Sequence, residues 1–298
     1  MEQLLQDASK PIWFNQPEEK KEEELNINLS NKDININVEN NISIMVCTPV
    51  HSEVSMHYTQ ALLEFQKVCM LKGIIVSFTI LKSSLVTQGR NMCVAAFLNE
   101  KHKYTHMLFI DSDINFSPES IFEMIALDKE VIAIPYPMKT LNWDKIKKLS
   151  KESTKANELE TLGFTYPIKV KDTNNIVVQY NVMEVTHAPT GCMLIKRSVF
   201  DKMIEAYSHL EINQPTILNG SETNSKNIYN FFDTFHDLKT KKYYGEDFGF
   251  CQKWTDIGGK CYCYIGRFIT HVGEYQYSGR FRDELNYMTK IDESNKNK

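Results

Sequence analysis

Tyr104-Thr-His-Met-Leu-Phe-Ile-Asp-Ser-Asp-Ile-Asn-Phe-Ser-Pro118 decides how this chain reads. Residues 107–110 are four consecutive apolar residues, which suits a short strand buried on both faces. Asp111 and Asp113 follow where that strand must end. Ser117, Pro118 and Glu119 then supply a hydroxyl cap, a proline at the first helical position and an acid in the first turn. Hydrophobic strand, acidic pair and capped helix, in that order, put two carboxylates at the carboxyl end of a strand in an open α/β sheet, where such sheets carry their ligands. If the backbone stays extended through Ser112, Asp111 and Asp113 share one side, because the side-chain period of a strand is two. Like charges so placed repel unless a cation stands between them. A small set of oxygen ligands suits Mg2+ or Mn2+, with phosphate and water completing the shell.

Working outward, residues 42–50 read as a short buried strand closed by Thr48-Pro49. Residues 53–72 carry Leu62, Leu63, Phe65, Val68 and Leu71 at helical spacing, and Gly73 ends that helix. Residues 74–81 form a second, β-branched strand, and residues 87–99 a helix turning Val94, Ala95, Phe97 and Leu98 to the core. Downstream come a helix from Ser117 to about Asp128 and a strand at 131–135. Alternating strands and helices predict a parallel sheet. The alternation breaks after Lys139. Residues 143–162 read as a surface helix or an insertion, 176–186 and 192–196 as strands of a mixed sheet, and 199–207 as a short helix. Residues 209–230 are polar and long for a loop, hence functional or disordered. A helix follows at 248–257, then a strand at 262–265 and an aromatic, basic tail after Gly273.

The 298 residues, with an ordinary apolar fraction of 42%, allow a full hydrophobic core. A net charge of −4 without a basic stripe argues against nucleic acid as partner. No apolar run approaches the roughly 20 residues of a membrane span, and the first residues lack a signal-peptide pattern. The seven cysteines sit mostly inside apolar runs and are expected to be buried free thiols in a reducing, cytoplasmic setting. Cys261-Tyr-Cys263 has the wrong spacing for a zinc knuckle. Residues 1–41, rich in Asn, Lys and Glu, read as a polar extension, flexible or packed at a sheet edge.

Taken together, the motifs over roughly residues 42–282 resemble the GT-A glycosyltransferase superfamily, most of all the small stand-alone nucleotide-sugar transferases of phages and large DNA viruses. The resemblance implies one globular domain with a Rossmann-like mixed sheet flanked by helices. Residues 42–139 would be its nucleotide-binding half and 140–298 its acceptor-side half. Asp111-Ser112-Asp113 looks like the DxD motif that binds metal and diphosphate, Mn2+ or Mg2+ being the implied cofactor. Thr48 and Pro49 resemble the strand exit beside the nucleoside, and Arg90-Asn91 the pair that holds base, ribose or phosphate. Tyr136-Pro-Met-Lys139 recurs in such enzymes, with Lys139 a charge partner for diphosphate. Thr190-Gly191 resembles the loop lining the donor sugar. His271 resembles the third metal ligand beside Asp111 and Asp113, with Gly273, Tyr277, Gly279 and Arg280 next to the diphosphate. Gly245-Glu246-Asp247-Phe-Gly249 resembles the acidic acceptor-side motif. Asp247 is then the preferred general base, with Glu246 beside it.

The implied partners are a nucleotide-sugar donor, with UDP ahead of GDP, and a glycan, protein or lipid acceptor; oligomeric state is left open. Each residue also has a plainer reading. His271 would be a packed histidine, Asp111 and Asp113 a solvated turn, Arg90 a first-turn surface arginine, and Glu246 and Asp247 helix caps. Two rival functions stand beside the resemblance. One is a haloacid-dehalogenase-type phosphohydrolase with Asp111 as nucleophile, although Asn115 stands where that family wants Thr or Val. The other is a non-catalytic nucleotide-sugar or glycan-binding module on the same scaffold.

Overall fold

Successive residues of β2 (Ser43–Val50) enter two different cores: Ile44 and Val46 pack on one side of the sheet, Met45 and Cys47 on the other. That is the period-two alternation of a strand covered on both faces. The computed structural model describes residues 26–30, 42–100, 104–151, 155–173, 175–213, 216–218, 221–223 and 226–274. On the Ile44 side lie α1 (Met56–Leu71) and α3 (Pro118–Ala126), where the Phe65 ring meets Phe116 at 5.9 Å and Phe122 at 5.7 Å. On the Met45 side lie α2 (Val86–Asn99), α6 (Arg197–Ala206) and α7 (Glu246–Asp256).

The strands, in chain order, are β1 (Asn26–Ser30), β2, β3 (Ile75–Lys82), β4 (His106–Ile110), β5 (Ile114–Asn115), β6 (Val131–Ala133), β7 (Asn175–Gln179), β8 (Val182–Val185) and β9 (Cys192–Lys196). Short hairpins follow, β10 (Thr216–Leu218) with β11 (Ser221–Thr223) and β12 (Phe235–Asp237) with β13 (Lys242–Tyr244). The last two are β14 (Cys261–Tyr264) and β15 (Thr270–His271). Among the described residues one nine-stranded sheet runs β1-β7-β8-β14-β6-β9-β4-β2-β3. It is a Rossmann-like mixed sheet with helices on both faces.

The parallel sheet expected from the strand–helix alternation is interrupted. β9 inserts antiparallel between β4 and β6, pairing Leu194 with both Leu108 and Ile132. Alternation alone cannot reveal this, because β9 comes later in the chain and is as apolar as its neighbours. The insertion matters for the site. β2, β4, β6 and β14 all end at one edge of the sheet, and antiparallel β9 begins there, which brings Thr190-Gly191 to the same edge.

Helix α1 is rotated relative to its expected face. Tyr58, Ala61, Phe65 and Cys69 are buried, while Leu63 is 61% and Leu71 78% exposed. Gly73 (φ +66°) and Gly258 (φ +88°) follow α1 and α7 in the left-handed region that glycine adopts without steric cost. Residues 143–163 fold into two short helices, α4 (Trp143–Leu149) and α5 (Ala156–Gly163). The stretch expected to be a long loop contains the β10–β11 hairpin. All seven cysteines are free and buried. No helix among the described residues is long and apolar enough to cross a membrane.

Close packing sets the position of α7. A Cβ on Gly249 would lie 2.1 Å from the Asp233 carbonyl oxygen, so only glycine lets the helix approach this segment. Gly249→Ala is expected to cost about 1–3 kcal/mol through overpacking, read as a lower urea midpoint at unchanged m value.

Candidate active site

The acidic pair does not share one side. β4 ends at Ile110 and the chain turns at once, with the Ile114 N–H donating to the Asp111 carbonyl at 3.1 Å. This turn replaces the extended backbone expected through Ser112 and sends the two carboxylates to different partners. Ser112 contributes its carbonyl, which accepts from the Ser55 N–H at 2.8 Å.

Asp111 meets Arg90. The guanidinium donates from Nη1 and Nη2 to both Asp111 oxygens at 3.0 and 3.1 Å, and from Nε to Glu246 Oε1 at 3.0 Å. Its side chain is only 4% exposed, and Cζ lies 5.3 Å from the Phe109 ring centroid. Burial works against the arginine's charge, but Asp111 and then Glu246 outweigh it and hold the proton more firmly than usual. The planar fork suits this double duty, which lysine's point charge does not match. Arg90 thus ties the end of β4 to the first turn of α7.

The next residue explains why α7 is within reach. Asn91 is buried; its amide donates to Asn230 Oδ1 and the Phe232 carbonyl, both at 3.0 Å, and its oxygen accepts from the Phe232 N–H at 2.9 Å. That segment runs on to Asp233, whose carbonyl abuts Gly249. Asn91, expected beside the donor, thus has both amide atoms engaged by residues 230–232 and clamps the scaffold of α7. Thr48 is likewise an internal residue, fully buried with its hydroxyl 2.7 Å from the Tyr58 hydroxyl. Pro49 packs against Gly89, where an added Cβ would lie 3.0 Å from it.

Asp113 forms a second cluster. Lys139 donates to Asp113 Oδ2, and His271 Nε2 stands 3.4 Å from the same oxygen. The small ladder of β15 with β5 delivers the histidine: His271 pairs with Ile114, and the Val272 N–H donates to the Asp113 carbonyl at 2.8 Å. His271 Nδ1 lies 3.0 Å from the Pro137 carbonyl. A carbonyl only accepts, so Nδ1 carries a proton and Nε2 is the atom left to face the carboxylate. Burial alone would raise the Asp113 carboxyl, but His271 and Lys139 outweigh it and hold it at about 2. Gly273 lies against the lysine stem, where a Cβ would stand 2.7 Å from Lys139 Cδ.

Asp247, in the first turn of α7 behind the N-cap Gly245, is half-buried. Its Oδ1 accepts from the Phe248 N–H at 2.7 Å. Burial, then the charge of Glu246, push its carboxyl up to about 7, against the pull of Phe248 and Arg90. The neighbouring acids are thereby divided: Glu246 is the counter-ion of Arg90, and Asp247 is poised to exchange a proton near neutral pH.

Tyr136, quoted in the sequence motif but given no role there, links the clusters. Its ring lies over Gly191, where a Cβ would stand 2.5 Å from Cε1, and meets the His271 imidazole edge-on at 4.9 Å. Gly191 in turn accepts the Asp111 N–H through its carbonyl at 3.0 Å, and Thr190 beside it is buried. Burial, then Asp111 and Asp247, push the Tyr136 phenol well above its usual range.

Of the expected metal set, Asp113 and His271 stand together, while both Asp111 oxygens accept from Arg90. Among the described residues no group of three His, Cys, Asp or Glu that could hold a metal is found. Asp113 Oδ2 and His271 Nε2 face each other at 3.4 Å. Tyr277, Gly279 and Arg280 lie outside the described residues. A cavity of about 860 Å³ adjoins the Lys139–His271 side, with Trp143, Tyr166 and Phe268 in its wall. Its size is that of small-molecule sites. Neither Arg90 nor Asp247 lines it.

No known family model matches the chain, and no curated protein matches its sequence. Two solved structures are similar in outline. The protein A197 from STIV is 15% identical with a TM-score of 0.39, over 80% of this chain and 98% of that one. A glycosyltransferase involved in the glycosylation of the major capsid of PBCV-1 is 8% identical with a TM-score of 0.30, over 55% of this chain and 65% of that one. Likeness at this level carries no argument about activity, which has to come from the side chains.

Proposed function

We propose that this protein is a glycosyltransferase that moves a sugar from a nucleoside-diphosphate donor to a hydroxyl group of a glycan, protein or lipid. One observation carries the reading. Asp113, Lys139 and His271 cluster at the carboxyl ends of the strands, with Tyr136 edge-on to the His271 ring, and Asp247, whose carboxyl is pushed up to about 7, stands in the first turn of α7 beside Glu246, the partner of Arg90. Sugar transfer needs both parts: positive charge for the departing diphosphate and a base for the incoming hydroxyl.

In this reading Asp247 takes the proton of the acceptor hydroxyl as its oxygen bonds to the anomeric carbon and the bond to the diphosphate breaks. In a retaining reaction the same carboxylate would orient the acceptor. Lys139, 40% exposed at its side chain, is free to turn from Asp113 to a diphosphate oxygen. Asp113 and His271 fit a divalent cation as two protein ligands, with diphosphate and water supplying the rest, an arrangement common for Mg2+ and open to Mn2+. A bound cation of this kind neutralises charge developing on the diphosphate. Residues 42–139 form the nucleotide side and 140–298 the acceptor side. The buried free thiols suit a reducing cytoplasm, that of the host if the protein is viral.

The phosphohydrolase reading needs Asp111 as a free nucleophile, and both its oxygens are engaged by Arg90. A binding module would take up the donor without turning it over, which the turnover assay separates. The test is a thermal-shift screen of UDP, GDP and their sugars with Mn2+, where binding raises the melting temperature, followed by turnover of the best donor. Asp113→Ala is expected to lose at least about a hundredfold in turnover, in line with removal of several kcal/mol of charge stabilisation. Unchanged turnover in that variant would remove the cation from the reading. A wild-type protein that binds no nucleotide sugar would remove the reading itself.

A further inference from the structure

Helix α1 has two apolar faces. Tyr58, Ala61, Phe65 and Cys69 are buried in the core. Met56, Leu63 and Met70 stand on the other side and are 67%, 61% and 72% exposed. At about 100° per residue these three fall in one stripe, nearly opposite the buried row. Apolar side chains repeated every seven residues are what one helix presents to another. Exposed apolar residues scattered singly need no explanation, but a row aligned from Met56 to Met70, with the exposed Leu71 beside its end, does. Among the described residues nothing covers the stripe. The helix that carries it is held firmly: Ser55 Oγ caps it by accepting from the Tyr58 N–H at 3.0 Å, and Phe65 packs against Phe116 and Phe122.

We propose that this stripe is the contact between two copies of the chain, whose α1 helices pack antiparallel about a two-fold axis at Leu63. A two-fold contact needs a self-complementary surface. Here the axis sets Leu63 against its own copy and Met56 against Met70 of the second copy, apolar against apolar along the whole stripe. Lys67, which flanks the stripe, comes level with Gln60 of the second copy. A parallel pairing would instead bring the two Lys67 ammonium groups level and set like ends of the helix dipoles side by side. The paired stripes, with Leu71, cover on the order of 1,000 Å2, the lower limit for a specific interface. At the head of α1 the Ser55 N–H donates to the Ser112 carbonyl at 2.8 Å, so each copy's acidic turn sits at its own end of the helix pair.

The experiment is sedimentation equilibrium of the full chain over a concentration series, followed by cysteine cross-linking. The wild-type mass is expected to rise with concentration from 34.6 kDa to twice that value. Leu63→Glu should stay at the single-chain mass throughout and, being at an exposed position, should melt with the dilute wild type. All seven native cysteines are buried, so an added surface thiol reports on the contact alone. Under copper–phenanthroline oxidation Leu63→Cys should cross-link to itself, because only residues at the axis meet their own copies within disulfide reach. Met70→Cys alone should not, whereas an equal mixture of Met56→Cys and Met70→Cys should. A wild type that keeps the single-chain mass would overturn the proposal, and a lower melting point of Leu63→Glu in that case would assign the stripe to a segment of the same chain. A pair that persists in Leu63→Glu, or Met70→Cys cross-linking to itself as readily as Leu63→Cys, would overturn it as well.

Discussion

Asp247→Asn is expected to lower kcat by about a hundred- to ten-thousandfold, the range for loss of a general base, with little change in donor binding. The wild-type profile should show why. Activity needs the ionised carboxylate, and burial with Glu246 beside it hold the group at about 7, so kcat/KM should fall as pH drops below that value. Stability should respond in the opposite sense. Between the usual carboxylate range and pH 7 the unfolded chain has released this proton while the folded chain keeps it. Folding therefore takes up a proton, and this group's contribution to stability declines as pH rises through that window, levelling off above it. Asparagine keeps the oxygen that accepts from Phe248 and carries no charge. At pH 8 the inactive variant should therefore melt well above the wild type, and at pH 5, lower in that window, the gap should be clearly smaller. Paired melting curves at the two pH values check this, and a variant that melts lower at pH 8 would contradict a carboxylate held against its burial.

Replacing Arg90 by methionine is expected to cost about 3 kcal/mol, the lower end of the range for breaking a buried ion pair, because a quarter of the Asp111 side chain still reaches water. The loss is not simply that of three hydrogen bonds. It comes from leaving Asp111 and Glu246 facing each other without a cation, next to Asp247. Adding Asp111→Asn and Glu246→Gln to Arg90→Met should therefore recover part of the stability, which denaturant midpoints on the single and triple variants measure directly. Arg90→Lys should fall close to methionine in effect, since one ammonium cannot span both carboxylates. Full stability in Arg90→Met would show that the bridge between β4 and α7 contributes nothing.

Most of the elements, and the residue types of the site, can be read in the chain because they follow from local rules. Four apolar residues before Asp111, a serine–proline helix start after it, and glycines behind two helices each depend on neighbours only a few positions away. Asp111 and Asp113 were singled out in this way, whereas Arg90, Lys139, Glu246, Asp247 and His271 came from the family resemblance; the fold brings Arg90 to Asp111 and Glu246, and Lys139 and His271 to Asp113. Their pairings were not legible. Arg90 and Asn91, adjacent in α2 and so roughly 100° apart around it, serve different segments, Arg90 the two acids and Asn91 the 230–232 segment. Thr48, expected to close its strand, lies inside β2, which runs on to Val50, and its hydroxyl faces Tyr58. The extended geometry assumed for Asp111 and Asp113 fails because the chain bends within three residues.

By itself the sequence determined a doubly covered α/β sheet, because burial periodicity, caps and turns are properties of short stretches. Only the tertiary structure decided that β9 enters the sheet antiparallel, that Arg90 binds two acids 21 and 156 residues away, and that Gly191 makes room for Tyr136. Those outcomes depend on contacts between segments far apart in the chain, whose energies no local pattern encodes.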